Sequence, residues 1–254
     1  MKASAIILAA GRGSRMKELT EEKPKCLVEL AGKPLLHWQL SALRAAQHER
    51  ILVVRGYASS CIHGEFETAE NPHWASSNML STLLCAQSFA RNVFEQGVDR
   101  LVVSYSDIVY HPAHVRKLLT CGTGIAITFD TEWEALWRLR FDDPLLDAET
   151  FHQEDGLLRE IGGKPRSLAD IHGQYMGLLS FDRSGWETLI QCCAELGDTL
   201  DATDMTGFLR WLLARGIPVG AVPVAGKWCE ADSGTDIERY EHALAHGNWS
   251  HDWR

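Results

Sequence analysis

The stretch Ala3-Ser4-Ala5-Ile6-Ile7-Leu8-Ala9-Ala10-Gly11-Arg12-Gly13-Ser14-Arg15-Met16 decides the fold of this chain. An apolar run of strand length leads directly into a glycine turn and then into polar residues, the pattern of a buried strand that ends at a loop. Gly11 and Gly13 let backbone N–H groups approach phosphate oxygens, and Arg15 together with Lys25, inside Lys23-Pro24-Lys25, supplies positive charge for a triphosphate. Two familiar phosphate loops do not fit. The run lacks G-x-x-x-x-G-K-[ST], and Gly11-x-Gly13 is followed by Met16 where a dinucleotide fingerprint needs a third glycine, while the next strand closes on Arg55-Gly56-Tyr57 without an acid. Glycine spacing alone also fits a tight strand-to-helix turn with solvated cations.

Beyond this loop, short β-branched runs alternate with longer helical patterns, which predicts an α/β fold: one doubly wound, mainly parallel, Rossmann-like sheet. Strands are expected at 5–8, 51–54, 101–104, 124–129, 174–180 and 219–224, and helices at 34–46, 77–91, 112–119, 184–196, 203–214 and 234–245. No repeat or Pro/Ser-rich linker divides the chain, so residues 1–254 are expected to form a single domain. The stretch 131–170, rich in acids and tryptophan and carrying the turn signals Asp143-Pro144 and Gly162-Gly163, is expected as an insertion over the sheet, covering a substrate site. In such sheets ligands sit beyond the carboxyl ends of the strands.

Composition narrows the function classes. With 254 residues, 25 Lys and Arg against 34 Asp and Glu, and a formal charge of -9, the chain is a poor general binder of nucleic acid or anionic membranes, so an anionic substrate must meet a locally basic site. The 7 cysteines are odd in number and form no C-x-x-C pair, as expected of reduced thiols in a cytoplasmic protein. No run approaches the ~18 apolar residues of a membrane span.

The loop resembles, residue for residue, the signature L-A-A-G-x-G-x-R-M followed by K-P-K of the nucleotidyltransferases that activate sugar phosphates and related alcohol phosphates. Further resemblances are Leu35 to Leu43 to that family's "P-L-L-x-x-x-L" helix, Val53 to Tyr57 to its "V-V-x-G-Y" strand, and Ser106-Asp107 to its acidic strand end, although many relatives have glycine where Ser106 stands. Trp228-Cys229-Glu230-Ala231-Asp232 is similar to the "W-x-E-x-D" segment. The resemblance implies the nucleotidyltransferase type of fold, with Leu8, Ala9, Ala10, Gly11, Gly13 and Ser106 around the nucleotide, Arg15 and Lys25 neutralising its phosphates, and Asp107, Asp232 and Glu230 holding Mg²⁺. Hard Mg²⁺ prefers carboxylate, water and phosphate oxygens, and transfer to an anionic nucleophile requires cancellation of charge. Helix capping is the structural alternative for Asp107 and Asp232.

Asn71 to Leu84 resembles the "N-N-x-x-S-L" segment of the cytidylyltransferase branch acting on phosphocholine and aminoalkylphosphonates, implying that Asn78 and Ser81 read the nucleotide; uracil and cytosine are not separated by this segment. Trp133 and Trp137, with Arg140-Phe141-Asp142-Asp143-Pro144, look like the "W-x-x-L-W-x-x-R-F-x-D-P" insertion of cytidylyltransferases near phosphonate biosynthesis. Two tryptophans at i, i+4 beside carboxylates suit an ammonium group, so Trp133, Trp137, Asp142 and Asp143 are candidate acceptor contacts; an aromatic stripe packing the insertion onto the sheet is the alternative. Lys164 resembles the second family lysine, which meets the acceptor phosphate, and Tyr175 lies in the following strand, where Gln174 replaces a common acid.

No separate general base is evident, and a phosphate monoester needs none, its second pKa being ~6. The expected activity is transfer of CMP from CTP to a phosphonate or phosphocholine-like acceptor, 2-aminoethylphosphonate being favoured, with release of pyrophosphate. The alternatives are a sugar 1-phosphate nucleotidyltransferase using UTP or dTTP, and a non-catalytic nucleotide-binding regulatory module. A homodimer is left open, as is whether Trp249 and Trp253 dock on the chain itself or on a partner.

Overall fold

A computed structural model describes residues 1–254. The opening run becomes the strand Ala3–Ala9, buried from Ser4 onward. It pairs in parallel with Ile51–Arg55 on one side and Arg100–Tyr105 on the other. Nine strands continue the sheet in the order Glu67–Glu70, Ile51–Arg55, Ala3–Ala9, Arg100–Tyr105, Gln174–Phe181, Ile125–Asp130, Val219–Val224, Leu157–Ile161, Phe151–Glu154. All run the same way except Gln174–Phe181 and Leu157–Ile161, each antiparallel to both neighbours, so the sheet is mixed and mostly parallel.

Alternate side chains of a strand face opposite sides, so a strand apolar at every position must be covered twice. Ile7 and Val53 enter one core with the helices Leu35–Ala45, Pro112–Leu119 and Gly234–His246; Ile6, Leu8 and Val54 enter the other with Gln87–Glu95, Arg183–Leu196 and Met205–Ala214. Each such aliphatic side chain contributes about 1.5–3 kcal/mol on burial. This is the doubly wound arrangement expected from the alternating pattern.

Two expectations are corrected. The helix expected over 77–91 is two, Met79–Leu84 and Gln87–Glu95, with Asn78 outside as the cap that accepts a hydrogen bond from Met79 N; the break at Cys85 and Ala86 carries neither Gly nor Pro. Residues 131–170 do not lie as one layer over the sheet: Phe151–Glu154 and Leu157–Ile161 extend it at its edge, while the helix Trp133–Arg140, the turn after it and Leu168 pack on one core. The Asp-Gly turn at 155–156 joins a hairpin, a pattern masked by the acidic surroundings.

A small antiparallel pair, Ile108–Tyr110 with Trp228–Glu230, stands beyond the sheet. Together with the bond from Ala231 N to Asp107 O, at 2.9 Å, it brings two acidic segments far apart in sequence side by side.

Candidate active site

Building from the loop, Gly13 has φ +75°, a left-handed conformation that favours glycine. Space imposes the same choice, since a Cβ here would lie 2.6 Å from the Cβ of Lys25. The turn therefore presses the stem of Lys25 into place. Its Nζ reaches 2.7 Å from Asp107 Oδ2 and 2.5 Å from Asp232 Oδ1. Arg15, mostly exposed, reaches Asp232 Oδ1 at 3.2 Å.

Asp107, Glu230 and Asp232 offer carboxylate oxygens that all lie within 4.8 Å of one another. Behind them stands Arg140, its side chain only 1% exposed, with Nη1 3.1 Å from Glu230, Nη2 3.5 Å from Asp232 and Nε 3.3 Å from Asp236. Asp236 in turn accepts from the backbone N–H groups of Asp232 and Ser233, closing a capping box at the helix Gly234–His246. The capping alternative for Asp232 is thus taken by its neighbours: Ser233 and Asp236 cap the helix, and Asp232 faces the cluster.

Electrostatics follow from this crowding. Burial pulls the Lys25 ammonium pKa down, but Asp107, Asp232 and Glu230 outweigh it and hold it above the ordinary lysine value. Burial pushes Asp232 up, yet Lys25, Arg15 and Arg140 bring it below the usual carboxylate range. Glu230 is driven up, first by burial and then by Asp232, with Arg140 opposing. The buried Asp107 Oδ1 has no hydrogen-bond partner.

Two clefts meet at this cluster. The first is lined by Leu8, Ala10, Gly11, Gly13, Arg15, Lys25, Ser106 and Asp107, with Trp74, Ser77, Asn78, Met79 and Thr82 opposite. The structure thus gathers most of the expected nucleotide residues on one wall; Ala9 is 1% exposed inside the core instead, and the Ser81 hydroxyl bonds Asp201, away from the cleft lining. The second cleft is lined by Glu230 and Asp232 at one end and by Tyr105, Trp137, Asp147, Glu149, Gln174 and Tyr175 farther along.

The expected tryptophan box is not formed. Trp133 and Trp137 meet edge to face, 6.0 Å between centroids, but both are only 4% exposed within the same core, and only Trp137 lines a cleft. Trp137 reaches the cleft, where its indole N–H donates to Asp147 Oδ2 at 3.1 Å, while the Arg140 guanidinium already lies 5.4 Å from its ring centroid. Asp143 accepts from Leu145 N as the cap of a short turn, and Asp142 is exposed outside the cleft lining. Lys164 is also exposed and lines neither cleft.

Asp147 and Glu149, in the same acidic stretch as Asp142 and Asp143 but not named as acceptor contacts, do line the second cleft, and Glu149 is raised by burial and by nearby Asp204, against a hydrogen bond from Thr206. Arg140 carried a readable signal: with Trp133, Leu136 and Trp137 it falls on the buried stripe of one helix, and a buried arginine must be paired. Trp74 in the first cleft had no signal beyond its neighbourhood to Asn78.

Comparison with known proteins agrees with this architecture. Residues 5–161, more than half of the chain, match the model of the MobA-like NTP transferase domain. The CTP:phosphoglutamine cytidylyltransferase of Campylobacter jejuni is 34% identical over 248 residues, covering 92% of this chain and 98% of that protein. A 2-aminoethylphosphonate cytidylyltransferase of Lancefieldella rimae is 35% identical over 120 residues, 45% of this chain and 46% of that one. Among solved structures, the CTP:phosphocholine cytidylyltransferase of Streptococcus pneumoniae superposes with a TM-score of 0.68 at 18% identity, covering 96% of this chain and all of that one, a likeness of fold. The family match and the relative that spans the chain show that this protein belongs to the MobA-like NTP transferase domain family of nucleotidyltransferases.

Proposed function

We propose that the chain is a Mg²⁺-dependent cytidylyltransferase that transfers CMP from CTP to a small phosphate or phosphonate acceptor carrying an ammonium group. The observation that carries the reading is the placement of one lysine–carboxylate cluster at the junction of two clefts, one glycine-lined and one acidic. Relatives named for CTP and for phosphoglutamine, 2-aminoethylphosphonate and choline phosphate support the nucleotide and the acceptor class.

The reaction needs alignment and charge cancellation. A phosph(on)ate oxygen of the acceptor forms a bond to the α-phosphorus of CTP as the bond to the β-phosphate oxygen breaks, and pyrophosphate leaves. Lys25 and Arg15, on the wall of the glycine-lined cleft, meet the phosphates and offset the charge that develops on the leaving group. The acceptor needs no base, because it already carries the attacking anion near neutral pH.

The donor set of Asp107, Glu230 and Asp232, all oxygen, fits Mg²⁺, and the unpartnered Asp107 Oδ1 leaves an atom free to bind it. When bound there the ion supplies charge neutralisation at the α-phosphate. Arg140 holds Glu230 and Asp232 from behind and so keeps those carboxylates aimed at the junction.

In the acidic cleft, Asp147 and Glu149 supply negative charge for an ammonium, and Trp137 an aromatic wall. 2-Aminoethylphosphonate fits this chemistry, and so does phosphoglutamine, which also bears an ammonium. Pyrophosphate release with CTP, UTP and dTTP against both compounds, phosphocholine and glucose 1-phosphate tests the proposal. The expected result is release with CTP and an ammonium-bearing acceptor; release only with a sugar phosphate and UTP or dTTP contradicts it.

A further inference from the structure

The segment Asn248–Arg254 has no part in either cleft, yet it is anchored around the strand Trp228–Glu230, which ends in one acid of the cluster and leads to Asp232. His251 is fully buried, and its Nε2 lies 2.8 Å from Asp130 Oδ2, itself fully buried. That same oxygen accepts the indole N–H of Trp228 at 2.9 Å. Asp130 Oδ1 accepts the backbone N–H groups of Glu132 and Gly226, both at 2.9 Å. One carboxylate thus ties three segments: the start of the helix bearing Trp137 and Arg140, the turn before Trp228, and residue 251.

A second attachment reaches the other end of the same strand. Trp249 stacks on Tyr240, 5.2 Å between centroids, and the Tyr240 hydroxyl donates to the backbone oxygen of Glu230 at 2.7 Å. Between the two, Lys227 N donates to Ser250 O at 2.9 Å. Burying Asp130 with fewer partners would be costly, and four donors satisfy it, so each donor's segment is fixed relative to the others.

We propose that residues 249–251 act as a clamp that positions Glu230 and Asp232, with His251 as the positioning residue acting through Asp130 and Trp228. The proposal rests on the reading of those two acids as part of the active site. Its physical logic is that of outer-shell groups generally, which orient the residues in direct contact with ligand, and whose loss lowers metal affinity or activity about 10–100-fold.

The test compares wild type, His251→Ala and His251→Gln in the full chain; the glutamine amide N–H stands where Nε2 does and donates to Asp130. Hydrogen exchange is read first, without nucleotide. In His251→Ala, amides of 228–231 are expected to exchange at least about tenfold faster while those of 5–9 are unchanged, with His251→Gln restoring protection. In turnover, kcat and Mn²⁺ affinity are expected to fall by about tenfold or more, with KM for CTP within about twofold, and the glutamine variant recovering most of the loss. Unchanged exchange at 228–231, equal acceleration throughout the sheet, or failure of glutamine to restore protection overturns the clamp. Absence of turnover in wild type with every nucleotide would refute the enzymatic reading, and the exchange comparison decides the clamp independently.

Discussion

The Lys25 ammonium lies 2.7 Å from the Asp107 carboxylate, across 82 residues of sequence, and both line the glycine-lined cleft. A buried lysine stays charged only with such partners, and a charge held at the wall of a glycine-lined cleft is suited to a triphosphate. Lys25→Ala is expected to lower kcat by about 10²–10³ with the far-UV circular dichroism spectrum unchanged. Near-normal turnover removes Lys25 from the mechanism.

Gly13 transmits its geometry to the same lysine. Because a Cβ would sit 2.6 Å from the Lys25 Cβ, and φ is +75°, Gly13→Ala has to displace the stem. Tm of Gly13→Ala should fall clearly below wild type, while Gly11→Ala, whose Cβ would meet no protein atom within 4 Å, should cost less stability. Equal effects at both positions would count against the steric account.

Asp107→Asn keeps the shape but removes a negative oxygen from the cluster of three carboxylates. Mg²⁺-dependent pyrophosphate release should be lost, and Mn²⁺ binding, followed by electron paramagnetic resonance, should weaken at least about tenfold. Retained activity with the same Mg²⁺ dependence contradicts the proposed ligand set.

Asp147→Asn and Glu149→Gln address the acidic cleft. Each should raise KM for an ammonium-bearing acceptor about tenfold, with KM for CTP little changed, because neither residue lines the nucleotide cleft. An equal rise for an acceptor lacking the ammonium would show that the acids serve another purpose.

Two buried histidines oppose stability in mild acid. His48 and His114 are both held below the usual 6.5 by burial, so unfolded histidine takes up a proton at higher pH than folded histidine does. At these two sites the unfolded state binds more protons as pH drops through 6.5, which lowers Tm, whereas Glu230 and Glu149, pushed up by burial, act in the opposite direction. Relative to wild type, the His48→Gln, His114→Gln double variant should gain Tm between pH 7.5 and 5.5; a pH-independent difference would remove these histidines from the acid response.

The glycine loop, Lys25 and the acids at 107, 230 and 232 were named through the family resemblance of short local segments, and the structure brings these groups together from distant parts of the chain. The double winding was legible in the residues themselves: strands apolar at every position, such as Ile6-Ile7-Leu8, must be covered on both faces. The acceptor side was not. Which face of Trp133–Arg140 meets the sheet depends on contacts with Trp228 and Asp236 some 90 residues away, so Trp133 looked available although it packs inside. Asp142 and Asp143 could not be told from Asp147 and Glu149 by composition, since the turn that spends Asp143 on capping is a tertiary outcome.

The most direct test of the central claim is ³¹P NMR of the protein with CTP, Mg²⁺ and an ammonium-bearing acceptor, 2-aminoethylphosphonate and phosphoglutamine in turn. Pyrophosphate and a new phosphoanhydride joining CMP to the acceptor are expected, formed in equal amounts and absent with the Asp107→Asn variant. CTP that binds yet yields no pyrophosphate with either acceptor, or with phosphocholine, would contradict it and favour a nucleotide-binding module without catalysis.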